Sequence, residues 1–224
     1  DIEPEQGFDQ VSHFFSDIAA ELPPQRPTQQ PLLQIPDRPV KTVHGDVPAD
    51  AISFVWRLPS FGTEAYDAAA IALAIIGQGM TSRFEKKLIK AELAQAASAD
   101  TLGLIGGNSF GFAQAIALPD IECAKLEATM VAELELFLAQ GPTVAEVERV
   151  KIQLLREQLT QLADLTSRAD AISGYATLFD DPNRVNLRIA EINRIDTEQV
   201  HQACRDYLSP DQCGTLRYLR QEQS

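Results

Sequence analysis

Ile52-Ser-Phe-Val-Trp-Arg-Leu58, followed after a short turn by Thr63-Glu-Ala-Tyr-Asp-Ala-Ala-Ala-Ile-Ala-Leu-Ala-Ile-Ile76, sets two different periods side by side. In the first stretch Ile52, Phe54, Trp56 and Leu58 alternate with Ser53, Val55 and Arg57, the pattern of a strand with one buried face. In the second, Tyr66, Ala70 and Leu73 together with Ile71 and Ile75 leave almost no polar side. A helix apolar nearly all round is buried between layers. Gly77-Gln-Gly79 ends it, and Ser82 is expected to cap a second, amphipathic helix carrying Lys86, Lys87 and Lys90.

Working outward, Val40–Asp46 reads as a short strand. Ala94–Leu104 and Ser109–Leu118 read as two more, joined by the hairpin signal Ile105-Gly-Gly-Asn108. In the second of these, Phe110, Phe112, Ile116 and Leu118 share one face with Gln114. The other face offers only Gly111, Ala113, Ala115 and Ala117, small enough to let a helix come close. The spacing then predicts a helix capped by Asp120 and ending at Gly141-Pro142, with Ala124, Ala128, Val131, Leu134 and Leu138 in register. Thr143-x-x-Glu146 is a capping box opening a longer helix. Its stripe is read as Val144, Val147, Leu154, Leu155, Leu162 and Leu165. Further helices are expected at 167–179, 184–193 and 197–207, the last capped by Asp196 or Thr197, with a returning strand at Thr215–Leu219. This order is an α+β layout rather than regular βαβ alternation.

Before Val40 the pattern changes. Phe8, Val11, Phe15, Ile18 and Leu22 fall at helical spacing, and Pro23-Pro24 stops that helix. Six of the 13 prolines lie between Pro23 and Pro39, which marks an extended, stiff linker. The expected organisation is therefore a helix and linker over 1–39 and an α+β domain over 40–224. Opening on Asp1 rather than Met, the sequence is expected to be an excised piece or a processed product.

With 32 acidic against 19 basic residues, the net charge is −13, and no Lys/Arg cluster of the kind that displaces counterions from a duplex is present. Nucleic acid is excluded as a partner. An acidic surface suits cationic peptides, and solubility alone explains the same excess. The longest strongly apolar stretch, Ala68 to Ile76, is too short to span a bilayer. Cys123, Cys204 and Cys213 form no Cys-x-x-Cys pair, so buried thiols are the default, with a Cys204–Cys213 bridge left open. His13, His44 and His201 are isolated from one another, whereas zinc-peptidase motifs place two His one helical turn apart beside a Glu. The sequence thus offers no catalytic residue and no metal site. The pairs Asp180-Asp181 and Glu146/Glu148 read as a loop and a helix face, and Gly103-x-x-Gly106-Gly107 as the hairpin turn.

Several strings, in order, resemble the second half-unit of the pitrilysin/insulinase zinc peptidases, the group that includes mitochondrial processing peptidase. Tyr66 to Gly77-Gln-Gly79, leading into Ser82-Arg83-Phe84, is similar to the family's helix ending in a glycine pair and a Ser-Arg-Leu-like turn. Leu136 to Gly141-Pro-Thr143-x-x-Glu146 and Lys151, and Glu191-Ile-Asn-Arg-Ile195-Asp-Thr197 to Val200 with Tyr207-Leu208, resemble its later segments. The likeness runs over residues 8–220. It implies a mixed, largely antiparallel sheet covered by helices, in a metal-free half that closes like a clamshell on a homologous half bearing the zinc. No zinc is then expected in this chain and no hydrolysis from it alone. Its implied partners are the zinc-bearing half and a peptide substrate, with the helix and linker over 1–39 resembling the end of a first half. The family's metal-free half often supplies an Arg and a Tyr from a stretch like Arg-Glu-x-x-Gly-Leu-Ala-Tyr. Here that stretch is Leu88-Ile-Lys90-Ala-Glu92-Leu93-Ala94-Gln95, with Lys lacking the bidentate fork of Arg. Lys87, Lys90 and Gln95 are the candidate substrate contacts, and an exposed basic helix face is the competing reading. A purely structural module of the same fold is the alternative function.

Overall fold

The alternation in the deciding stretch becomes strand β2, Ala51–Leu58, with every second side chain buried. The computed structural model describes residues 2–19, 21, 31–33, 35 and 37–221. Strand β1 is Val40–Gly45, β3 Ala94–Leu102, β4 Ser109–Ala117 and β5 Gly214–Arg220, and the sheet order is β1-β5-β2-β4-β3. Only β1 and β5 run parallel; the other pairs are antiparallel. Helices α1 (Pro4–Phe15), α2 (Glu64–Gly77), α3 (Cys123–Gln140), α4 (Val144–Ala163), α5 (Leu165–Phe179), α6 (Arg184–Arg194) and α7 (Thr197–Tyr207) complete the order. The fold is α+β, a mixed and mostly antiparallel sheet covered by helices.

Helix α2 is the centre of the core. Ile71, Ala72, Leu73 and Ile75 are wholly buried, between the sheet and the helices α7 and α4. Two glycines set how closely it lies on the strands. A Cβ on Gly111 of β4 would sit 2.8 Å from the Leu73 side chain, and one on Gly77 would sit 2.0 Å from the backbone nitrogen of Ala99. The small-residue face of β4 therefore does what its sequence implies. Trp56 is fully buried and its indole N–H donates to the Ser209 carbonyl at 2.9 Å, so the one strong polar group of that side chain is satisfied.

Several boundaries differ from the sequence reading. Helix α1 starts at Pro4, whose ring suits a first turn, and closes at Phe15 rather than reaching Leu22; Leu22 and Pro23-Pro24 lie outside the described residues. The amphipathic helix expected after Ser82 is a single π-helical turn, Glu85–Ile89. Ser82 is not its cap residue, which is Phe84, although the Ser82 hydroxyl accepts from the Glu85 N–H at 3.2 Å. The turn cannot run on because Glu92 takes a left-handed conformation (φ 54°) that swings the chain into β3. Asp120 does not cap α3; the cap position is Glu122, and Leu118–Ile121 forms a separate turn.

Thr143 and Glu146 form the expected reciprocal capping box on α4. The expected stripe of that helix holds in its middle: Val147 is buried and Leu154, Leu155 and Leu162 are half-buried. Its two ends differ, since Val144 is 66% exposed and Leu165, 70% exposed, already belongs to α5. Val150 and Lys151 join the core face, where the Lys151 ammonium donates to the Ile195 carbonyl and to Glu148, both at 3.0 Å. Asp196, not Thr197, caps α7. All three cysteines are free and buried, so no bridge joins Cys204 to Cys213.

Candidate functional site: the uncovered face of the sheet

Helices cover one side of the sheet, and the register defines what stands on the other. Leu102, Phe110 and Arg57 form one row across the strands, and Asp100, Phe112, Val55 and Gly214 the next. Ser98, Gln114, Ser53, Leu216 and Lys41 follow, then Ala96, Ile116, Ala51, Tyr218 and Val43. None of these side chains is buried, and Leu102, Ile116, Leu216 and Tyr218 are among the exposed large apolar residues. Two rows are almost entirely apolar. Between them lies a polar row, where the Gln114 amide donates to Ser98 at 3.2 Å. At one end the Arg57 guanidinium lies 4.9 Å over the Phe110 ring. At the other, the Tyr218 hydroxyl passes so close to Gly45 that a Cβ there would be 2.7 Å from it. Phe110, Phe112 and Ile116 were visible in sequence as the large face of one strand. Leu216 and Tyr218 were missed as their companions, because β5 joins β2 only through long-range pairing.

Lys87, Lys90 and Gln95 do not converge on that face. Lys87 and Lys90 are exposed on and just after the π turn, which packs between β3 and α3. Lys87 acts on Glu133 of α3, on the helical side of the sheet. Gln95 is the extra residue of a bulge: Ala94 pairs with Ala117 and Ala96 with Ile116, leaving Gln95 without a partner on β4. It sits exposed on β3, an outer strand of the sheet.

Behind the π turn is a buried ionic node. Arg83 bonds Glu146 through two nitrogens, at 2.9 and 3.0 Å, reaches Glu133 at 3.5 Å, and donates to the Gly141 carbonyl. Its guanidinium also stacks on Phe137 at 4.3 Å. Burial pushes the Glu133 carboxyl up, and the Arg83 and Lys87 charges only partly oppose it. Burial acts the same way on Glu146, yet the bonds from Arg83 and from the Thr143 N–H hold that carboxyl below its usual range. A second pair joins α2 to α6: Arg188 grips Asp67 bidentately at 2.7 and 2.8 Å, both buried, with Glu191 beside them. Both clusters tie elements of the helical side together within the chain.

The donor set does not fit zinc. His13 lies on α1, His44 on β1 and His201 on α7. His201 is engaged through both ring nitrogens, with the Leu138 carbonyl at 2.8 Å and with Arg205 at 2.9 Å. Among the described residues no three His, Cys, Asp or Glu come together as a metal cluster. Nor, among them, is any helix long and apolar enough to cross a membrane.

The family model for the peptidase M16 inactive domain matches residues 1–154, more than half of the chain. No curated protein matches the sequence. Among solved structures, a protease from Helicobacter pylori is 19% identical with a TM-score of 0.84, over 98% of this chain and 53% of that one. A peptidase M16 inactive domain from Pseudomonas fluorescens is 14% identical with a TM-score of 0.76, over 99% of this chain and 52% of that one. The periplasmic protease PqqL from Escherichia coli is 16% identical with a TM-score of 0.73, over 99% of this chain and 24% of that one. The chain thus spans about half the length of the first two and a quarter of the third. At these identities the structures speak for the fold, and the family model for the family: the chain belongs to peptidase M16, the pitrilysin/insulinase group, as an example of its inactive domain.

Proposed function

We propose that this chain is the metal-free wall of a two-half zinc peptidase, holding peptide against a homologous half that carries the zinc. The observation behind the reading is the uncovered sheet face, with its apolar rows through Phe112 and Val55 and through Ile116 and Tyr218. A peptide lying along the strands would present alternate side chains to those rows, while Gln114, Ser53 and Ser98 offer polar contacts between them. Closing a second half over this face removes water from the peptide and orders its backbone, both of which help a reaction performed elsewhere. Cleavage itself is left entirely to the partner half.

One observation favours a structural module instead. Lys90 and Gln95 stand where the family often has Arg and Tyr, and they lie on the helical side and on an edge bulge rather than on the uncovered face. Peptide hydrolysis by this chain, by a zinc-bearing half, and by the two combined separates the readings. Activity only in the combination supports the proposed wall; association without activity sinks it in favour of the module.

A further inference from the structure

On the helical side of the molecule, α4, α5 and α6 line a cleft of about 410 Å³ that no described residue fills. Its floor is aromatic. Phe179 packs between Phe61 and Tyr175, with centroids 6.0 and 5.7 Å away. Its rim is polar and acidic, with Glu157 and Gln158 from α4 and Asp170 from α5. Among the described residues, the side chains of Gln158 and Asp170 and the Tyr175 hydroxyl make no hydrogen bond within the chain. An apolar floor with a few unengaged polar groups at its mouth is the make-up of a binding site.

Gly174 adds an independent observation. It lies in the interior of α5 and lines the cleft, yet a Cβ placed on it would meet nothing within 4 Å. Glycine weakens a helix interior relative to alanine, and among the described residues no neighbour demands it here. Its effect is to keep the backbone at the cleft wall open to an occupant.

The charges select the occupant. Arg188, which lines the cleft, is taken by Asp67 and Glu191, and Arg184, stacked 4.3 Å over the Phe179 ring, lies 3.6 Å from Glu191, so Glu157 and Asp170 leave the mouth negative among the described residues. Helix α1 is excluded by the same argument: it carries Glu5 and Asp9, with Glu3 and Asp17 just beyond its ends, and no Lys or Arg. We propose that this cleft binds a short cationic peptide segment. One apolar side chain would seat on Phe61 and Tyr175 beside Gly174, and flanking Lys or Arg would meet Glu157 and Asp170. The site faces away from the sheet and does not depend on the peptidase reading.

The test is fluorescence anisotropy of the full chain with a labelled pentapeptide alternating arginine and leucine. Peptides alternating glutamate with leucine, and arginine with serine, serve as controls. The arginine–leucine peptide alone should bind, and raising salt should weaken it. Gly174→Leu fills the open space with a good helix former, and is expected to weaken binding by about tenfold or more without lowering the melting temperature. Asp170→Lys should weaken it comparably and restore binding of the glutamate–leucine peptide. No binding by the arginine–leucine peptide, equal binding of the controls, or unchanged binding in folded Gly174→Leu each overturns the proposal. Because no zinc-bearing half is present, none of these outcomes bears on the proposed wall.

Discussion

The same substitution, glycine to alanine inside a helix, should move stability in opposite directions at Gly77 and Gly174. At Gly77 the added methyl meets the Ala99 nitrogen at 2.0 Å and the Ser98 carbonyl carbon and Ala99 Cβ at 2.6 Å. Comfortable contact needs about 3.5 Å, so helix and strand must part by roughly 1.5 Å. Two of the three atoms are backbone, which cannot rotate away as a side chain would. Overpacking of this kind costs about 1–3 kcal/mol, and rigid backbone argues for the upper end. Alanine's better helix propensity returns about 0.5–1 kcal/mol, leaving a net loss of about 2 kcal/mol. For a chain of this size that is about 4–8 °C in Tm. At Gly174 the propensity acts alone, and Gly174→Ala should gain about 0.5–1 kcal/mol, or roughly 1–4 °C. Calorimetry and urea melts of both variants decide the matter. A Gly77→Ala chain as stable as the parent would refute the close approach of α2 to β3, and a destabilised Gly174→Ala chain would refute the open wall at α5.

Breaking the buried Asp67–Arg188 pair with Arg188→Met leaves a carboxylate without its partner and should cost about 3–5 kcal/mol, read from a urea melt, whereas Asp67→Leu with Arg188→Met should recover most of it. The two carboxyls around Arg83 titrate in opposite senses. Glu146, held low, contributes stability above the ordinary carboxylate range that is lost as pH falls, so Glu146→Gln should flatten the acid limb of a stability–pH profile. Glu133, pushed up by burial, keeps its proton better in the native state, so stability falls as pH rises past its unfolded value; Glu133→Gln should remove that fall. On the uncovered face, Phe112→Ser and Tyr218→Ser should shift stability by no more than about 1 kcal/mol, because neither side chain is buried. The same changes should depress hydrolysis by the combined halves if the face holds peptide.

The elements that could be read in sequence were those whose signal is local. The alternation of Ile52–Leu58, the buried helix behind Thr63, the hairpin at Gly106-Gly107 and the capping box at Thr143 are each decided within a dozen residues, and each stands in the structure. What escaped depends on distant neighbours. Along α4 the stripe from Val147 to Leu162 was legible, and the burial of Lys151 beside it was not, because the Ile195 carbonyl that takes its ammonium lies 44 residues away. The bulge at Gln95 is a mismatch between two strands, invisible in either alone. The cleft is likewise an arrangement of three helices, and the glycine at its wall, Gly174, lies inside the helix expected at 167–179 with nothing in the sequence to show the space beside it.

The sheet's two outer strands sharpen what its uncovered face can do. An exposed edge invites pairing with any extended chain, and folded proteins blunt such edges with charge, short length or bulges. Strand β1 is short and carries Lys41 and His44. Strand β3 carries its bulge at Gln95, at the end nearest the lysines. Added backbone would lose register there, so strand addition on β3 is confined to the stretch from Ala97 to Leu102. That stretch borders the row containing Asp100, Phe112 and Val55. A peptide pairing there would set every second side chain beside Ser98, Asp100 and Leu102 on the uncovered face and would pass Gln95 without pairing to it. On the proposed wall, Gln95 and Lys90 would fall outside the stretch of β3 open to an added strand, and that is why their position weighs for the structural module.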